Sequence, residues 1–242
     1  MRILILADIH ANLAALEAVL KAAAGGGSDR VWVLGDSVGY GPQPNECLAR
    51  VRDLGAVAVA GNHEKAVVGE IGLGEFNPFA AAAARWTINA LSPENAAYIR
   101  QMPVRAVEQG VTLVHGTPRD PMWEYLWTLD QAVEVLSSFN TPGCAFGHTH
   151  IPRWLNINGS KVAGGMPHDG TVVKIGPGRF YLNPGSVGQP RDGNAHASYA
   201  VFNTDEQTVT FHRAVYDIEA TQELMQAAGL PDLLVARLSV GR

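Results

Sequence analysis

Short apolar runs alternate with segments of helical period through the first quarter of the chain. Arg2 to Ala7 is an apolar run closed by Asp8 and reads as a buried strand. Asn12 then predicts the N-cap of a helix carrying Leu13, Leu16, Val19, Leu20 and Ala23 on one face, with Glu17 and Lys21 spaced for an exposed ion pair. Gly25-Gly26-Gly27 ends it. Val31 to Leu34 reads as a second strand, and Pro44 as the first residue of a second helix with Gly55 at its C′ position. Ala56 to Ala60 is a third strand. Strand–helix–strand–helix–strand with short connections predicts parallel pairing and right-handed crossovers.

Residues from 65 to about 103 are alanine-rich and predict helices over Phe79–Leu91 and Pro93–Gln101. They read as a helical insert, because strands resume at Val111–Val114 and Cys144–Phe146. Trp123 and Trp127, spaced i, i+4, predict helical core packing rather than base stacking. From Arg153 onward the pattern turns antiparallel. Over Thr208–Val215, Val209, Phe211 and Val215 alternate with Thr208, Thr210 and His212, Arg213 being the exception, and Asp205-Glu206-Gln207 suits the hairpin turn before them. A helical tail over about 217–242 is interrupted at Gly229-Leu230-Pro231. With no internal repeat and no low-complexity linker, residues 1–242 are expected to form a single domain.

Composition narrows the class. Apolar residues make up 47% of the 242, which excludes a disordered chain. A net charge of −5 gives no electrostatic footprint for gripping a phosphate backbone, so no nucleic-acid partner is expected. No run reaches the ~18 apolar residues of a membrane span. The Ile3–Ala7 run after Arg2 stops at Asp8, too short for a signal-peptide core, and Cys47 and Cys144 stand 97 positions apart outside any CxxC pair. Two buried reduced thiols and a cytoplasmic location are the expectation.

The chemistry gathers where the strands end. The first delivers Asp8-Ile9-His10, the second Gly35-Asp36, and the third Gly61-Asn62-His63-Glu64; later come Val114-His115-Gly116 and Gly147-His148-Thr149-His150. Ligands of open α/β sheets bind in the crevice outside the carboxyl ends of the strands. Mixed imidazole and carboxylate donors without a thiolate suit divalent Mn, Fe, Ni, Co or Zn. Asp8, His10, Asp36, Asn62, His115, His148 and His150 are too many for one tetrahedral ion. They suffice for two ions sharing a carboxylate, the usual clamp for in-line displacement at phosphorus.

Those five motifs, in that order, resemble the calcineurin-like metallophosphoesterases. The resemblance extends to Asn183-Pro184-Gly185-Ser186-Val187-Gly188-Gln189-Pro190-Arg191, similar to a segment of the smaller bacterial members. It implies a four-layer α/β/β/α sandwich of two mixed sheets. It also implies Asp8, His10 and His150 on one metal, Asn62, His115 and His148 on the other, and Asp36 bridging. His63 would protonate the leaving oxygen as general acid while a hydroxide between the ions attacks phosphorus in line. Manganese is the ion expected to work in vitro, and the substrate a small phosphoester or nucleotide-type molecule; phosphodiesterase and dinucleoside-polyphosphate hydrolase activities both fit.

The second motif departs from the protein Ser/Thr phosphatase branch: Gly39 stands for the Asp that orients the acid histidine, and Tyr40 for a phosphate-binding Arg. Ala11 stands where many members have Gly. Phosphomonoester or phosphoprotein hydrolysis is the alternative activity, a non-catalytic scaffold and a nuclease the rival classes. Arg191 is a candidate substrate-binding residue, whereas His168, His196 and His212 read as loop or strand-surface histidines without a role.

Overall fold

The computed structural model describes residues 1–242. Arg2–Leu6 (β1) is apolar on both faces because both are covered: Ile3 and Ile5 point into one core, Leu4 and Leu6 into another. Asn12 caps the following helix α1 (Leu13–Ala24), its side chain accepting from the Ala15 N–H at 3.1 Å. β2 (Arg30–Leu34), α2 (Pro44–Asp53), with Pro44 opening it, and β3 (Val57–Val59) complete the predicted alternation. Next come α3 (Asn62–Val67), the insert helices α4 (Pro78–Ala90) and α5 (Pro93–Gln101), then β4 (Arg105–Glu108), β5 (Val111–Val114), α6 (Leu129–Glu134) and β6 (Gly143–Ala145). β7 (Pro152–Asn158), β8 (Lys161–Gly165), β9 (Val172–Lys174), β10 (Arg179–Pro184), β11 (Ala197–Asn203) and β12 (Thr208–Ala214) precede the tail helices α7 (Ile218–Ala227) and α8 (Asp232–Arg237).

The strands form two sheets of six, ordered β3-β2-β1-β11-β12-β9 and β4-β5-β6-β10-β7-β8. Both are mixed: β1, β2 and β3 run parallel while β11 lies antiparallel to β1, and β5, β6 and β10 run parallel between antiparallel neighbours. Ile3, Trp32, Leu34 and Phe202 of the first sheet meet Leu113, Ala145, Phe180 and Leu182 of the second in the central core. The outer face of the first sheet packs on α1 and α2 through Leu16, Val19, Cys47 and Val51. The outer face of the second lies beneath α6 and the turn after it, with Ala132, Val135 and Phe139 against Tyr181 and Phe146. Helix, sheet, sheet, helix is the expected layering. The insert and tail meet each other, α4 giving Ala80 and Ala83 and the tail Met225, Leu230 and Leu234 to a cluster closed by Tyr40.

Three local expectations are corrected. Glu17 pairs with Arg50 of α2 at 2.7 Å, not with Lys21, because helix packing brings the guanidinium across. Ala214, opposite Ala197, is the last paired residue of β12, so Val215 has no strand beside it and is 72% exposed. Trp123 and Trp127 lie in a loop, not a helix. After Pro121 the Asp120 carboxylate accepts the Met122 and Trp123 N–H groups at 3.0 and 3.2 Å, and the capping box that opens α6 forms only at Thr128 and Gln131.

Candidate metal centre

Each candidate ligand sits on the turn that leaves a strand. Asp8 and His10 follow β1, Asp36 follows β2, Asn62 and His63 open α3 after β3, His115 follows β5, and His148 and His150 follow β6. The turns are tight enough to force left-handed backbone at Asp8 (φ 53°), His10 (48°), Asp36 (53°), His148 (66°) and His150 (59°). Non-glycine residues adopt that conformation at a cost, and only where the surroundings hold them there.

Here the surroundings do. The Asp8 N–H donates to the Gly35 carbonyl at 3.1 Å and the His10 N–H to that of Asp36 at 2.8 Å. The buried Glu64 carboxylate accepts four backbone N–H groups: Asp36 at 2.7 Å, Ser37 at 2.6 Å, Val38 at 3.2 Å and Gly61 at 2.8 Å. It thereby ties the turn after β2 to the one after β3. From the far end of the sequence, Asn183 donates to the Gly147 carbonyl at 2.8 Å, and the Ser186 hydroxyl donates to that of Asp8 at 2.7 Å. Nothing in the residue type of Glu64 marks this part; its place at the third helical position after Gly61, as in a capping box, is the signal for it.

The donors then face inward. His10 Nδ1 donates to the Val38 carbonyl at 3.0 Å and His150 Nδ1 to that of Gln189 at 2.6 Å. A carbonyl only accepts, so each Nδ1 carries the proton and each neutral ring leaves Nε2 bare. Those two bare nitrogens stand 3.1 Å apart. Two lone pairs at that distance repel unless a cation lies between or beside them. His115 is anchored in the same way, Nδ1 donating to the Leu34 carbonyl at 2.9 Å, and its Nε2 faces Asn62 Oδ1 at 3.1 Å, His148 Nδ1 at 2.9 Å and Asp36 Oδ2 at 3.2 Å.

Burial sets the protonation. It pushes His10, His148 and His150 well below the ordinary histidine value, keeping them neutral, and lifts Asp8 to about 8. Burial also works against a charged His115, but the Asp36 carboxylate and its hydrogen bond, with Asp8, outweigh it and raise the ring to about 9. Asp36, buried but surrounded by His115 and His63, stays far below the usual carboxylate range. In a protein without ions, protons must do the work of cations. Asp8, His10 and His150 form one group able to hold an ion, and Asp36, His115 and His148 another, the donor atoms of each lying within 4.8 Å of one another; Asp36 also lies within that distance of His10 and His63.

His63 lies beside the cluster. Its backbone N–H donates to Asp36 Oδ1 at 3.0 Å, and its ring is enclosed by Tyr40, His10 and Phe76 with centroids 4.5, 4.9 and 5.0 Å away. Nδ1 is buried without a hydrogen-bond partner, so the ring is held by packing and no carboxylate orients it. Burial lowers it to about 4. Asp36, Asn62, His63, His148 and His150 line one small cavity with Tyr40, Tyr125 and Arg191, of which sequence reasoning missed Tyr125. The Arg191 guanidinium stands 5.8 Å from the Tyr40 ring centroid, and Nη2 donates to Gln189 Oε1 at 2.9 Å. His168 and His196 are exposed, and His212 stacks on Tyr199, all outside the cluster.

A two-sheet sandwich with buried imidazoles and carboxylates converging at its strand ends is the arrangement that the resemblance in the sequence implies. Residues 1–207 match the sequence model of the calcineurin-like phosphoesterase superfamily domain, and the chain belongs to that family. It is 37% identical over 246 residues to an uncharacterized protein of Methanocaldococcus jannaschii, covering 99% of this chain and 98% of that protein. It is also similar to a metallophosphoesterase of known structure from Sphaerobacter thermophilus, with 48% identity and a TM-score of 0.91 over 100% of this chain and 99% of that one. A hypothetical protein from Pyrococcus horikoshii shares the fold at 19% identity, with a TM-score of 0.80 over 100% of this chain and 98% of the other. No helix is long and apolar enough to cross a membrane.

Proposed function

We propose that this protein is a dinuclear metal-dependent phosphoesterase that hydrolyses phosphodiester or phosphoanhydride bonds in small substrates. The observation that carries the reading is the pair of bare nitrogens of His10 and His150 facing each other at 3.1 Å, matched by a second set of inward donors around Asp36. Asp8, His10 and His150 would hold one divalent ion, Asn62, His115 and His148 the other, and Asp36 would serve both. When bound, the ions activate water for attack on phosphorus and neutralise charge building on the non-bridging oxygens.

The remaining work falls to the chain. His63 delivers a proton to the leaving oxygen. Its ring is neutral at pH 7 in the free protein, and the negative phosphoryl group arriving beside it shifts it toward the protonated form. Tyr40 and Phe76 hold the ring at its faces and edges, where other members use a carboxylate. Arg191 grips a phosphate oxygen; lying over Tyr40, it supplies the positive charge that Tyr40 cannot. The tail packing onto the insert supports one domain over 1–242, and two free buried thiols agree with a cytoplasmic protein.

The test is metal replacement. Protein stripped by chelation and refilled with Mn²⁺ is expected to cleave a chromogenic phosphodiester; inactivity with every divalent ion tried would leave the scaffold reading in its place.

A further inference from the structure

Three rings form a ladder leading out of the metal centre. Tyr125 lies against the His148 imidazole, centroids 3.9 Å apart and planes 15° from parallel. Trp127 continues the ladder, 5.2 Å from Tyr125 with planes 14° apart. Tyr125 lines the site cavity, and the outer rungs reach the surface, Tyr125 36% and Trp127 45% exposed. The platform is fixed. The Trp127 N–H donates to Gln131 Oε1 at 2.9 Å, its carbonyl accepts from the Arg153 guanidinium, and Leu126 between the two rings is buried in the core under α6.

On the His63 side the aromatic wall is built differently. Phe76 meets His63 at 86° and Trp123 meets Phe76 at 75°, edges against faces, so the rings there form no parallel stack. Only the ladder offers a plane parallel to those inside it, and what extends a stack of parallel rings is another flat π-system. An aliphatic chain would need a groove closed on several sides.

We propose that Tyr125 and Trp127 form a base platform: the substrate is a phosphoester of a nucleoside, its base stacked against this ladder while its phosphate reaches the metal centre beside Arg191. The proposal rests on the phosphoesterase reading for the position of the phosphate. Stacking is tolerant of base identity, so the class is set by the presence of a base and not by which base it is.

The experiment compares AMP with ribose 5-phosphate, which share phosphate and sugar and differ by the base, by titration calorimetry on the full-length metal-loaded protein. AMP is expected to bind roughly 5- to 150-fold tighter, the conversion at 1.4 kcal/mol per tenfold of the ~1–3 kcal/mol that one base–aromatic stack contributes. Trp127→Ala should remove that difference while ribose 5-phosphate binds within about twofold of before, and Trp127→Phe should restore most of it. Equal affinities in the parent protein, a preference that survives Trp127→Ala, or no binding of either compound overturns the proposal. Turnover plays no part in this readout. A protein that hydrolyses nothing yet prefers AMP through Trp127 sinks the phosphoesterase reading and leaves the base platform, and one that cleaves the chromogenic diester yet ignores the base sinks the platform alone.

Discussion

Gly39 lies flat against the imidazole of His63, and the space a Cβ would take there is already filled by Nδ1 of that ring. Position 39 also has φ +83°, a conformation that side chains other than glycine rarely adopt. An aspartate therefore cannot be accommodated here without moving the ring. Gly39→Asp is expected to displace His63 and lower kcat by about 100-fold, within the range of a lost general acid, while both ions are retained. Elemental analysis beside steady-state kinetics checks it; a variant as active as the parent would show that His63 tolerates rearrangement.

His63→Ala separates proton donation from metal binding. Metal content should be unchanged and turnover should fall most for substrates with poor leaving groups, because those need the proton most. Loss of an ion would instead make His63 a ligand, a role that its approach to His10 and Asp36 permits sterically.

Glu64 is the hinge pin between two ligand-bearing turns. Glu64→Gln puts an amide NH₂ among backbone N–H donors that all require an acceptor, so at least one is left unsatisfied in the interior. A destabilisation of about 2–4 kcal/mol is expected from urea denaturation, together with weaker metal binding. An unchanged midpoint would mean that neighbouring carbonyls or water replace the carboxylate.

Acid should unfold the metal-free protein partly through His63. Its folded value of about 4 lies below the ordinary 6.5, so between these the unfolded chain binds a proton that the folded chain excludes. Stability therefore rises with pH across that window and is lost as pH falls through it, by about 3 kcal/mol for this group at the acid end. Thermal midpoints at pH 6.5 and 4.5 should converge for His63→Gln relative to the parent; equal slopes would show that the ring is protonated at no cost.

Occupation of the centre should stabilise the fold. At a hundred times the dissociation constant an ion that binds only the native state adds about 2.7 kcal/mol, which for a chain of this size is roughly 5–10 °C in Tm. Mn²⁺ should give that rise, chelator should reverse it, and His10→Ala should shrink it. A Tm indifferent to every divalent ion would contradict the centre described.

Much of this was legible in the sequence because it is local. Asn12, Pro44 and the apolar runs from Arg2 to Val59 specify their elements through caps and periodicity, and each ligand advertises itself by following a strand. What pairs with what is not local. Nothing near Ile5 announces Ala200 as its neighbour, and nothing in the spacing of Glu17 says that Arg50 will outcompete Lys21. Trp123 and Trp127 mislead for the same reason: a period of four reads as helix until the Asp120 turn takes the backbone elsewhere. Glu64 hides because its partners are main-chain groups, which leave no trace in residue type.

The pairing of Ile5 with Ala200 and the Ser186–Asp8 bond have a consequence for biosynthesis. Asp8 is made 178 residues before the hydroxyl that holds it, and the strand carrying Ala200 comes later still. Nascent protein thus carries a half-built cradle until β10 and β11 have been made, and cations can be captured tightly only after that.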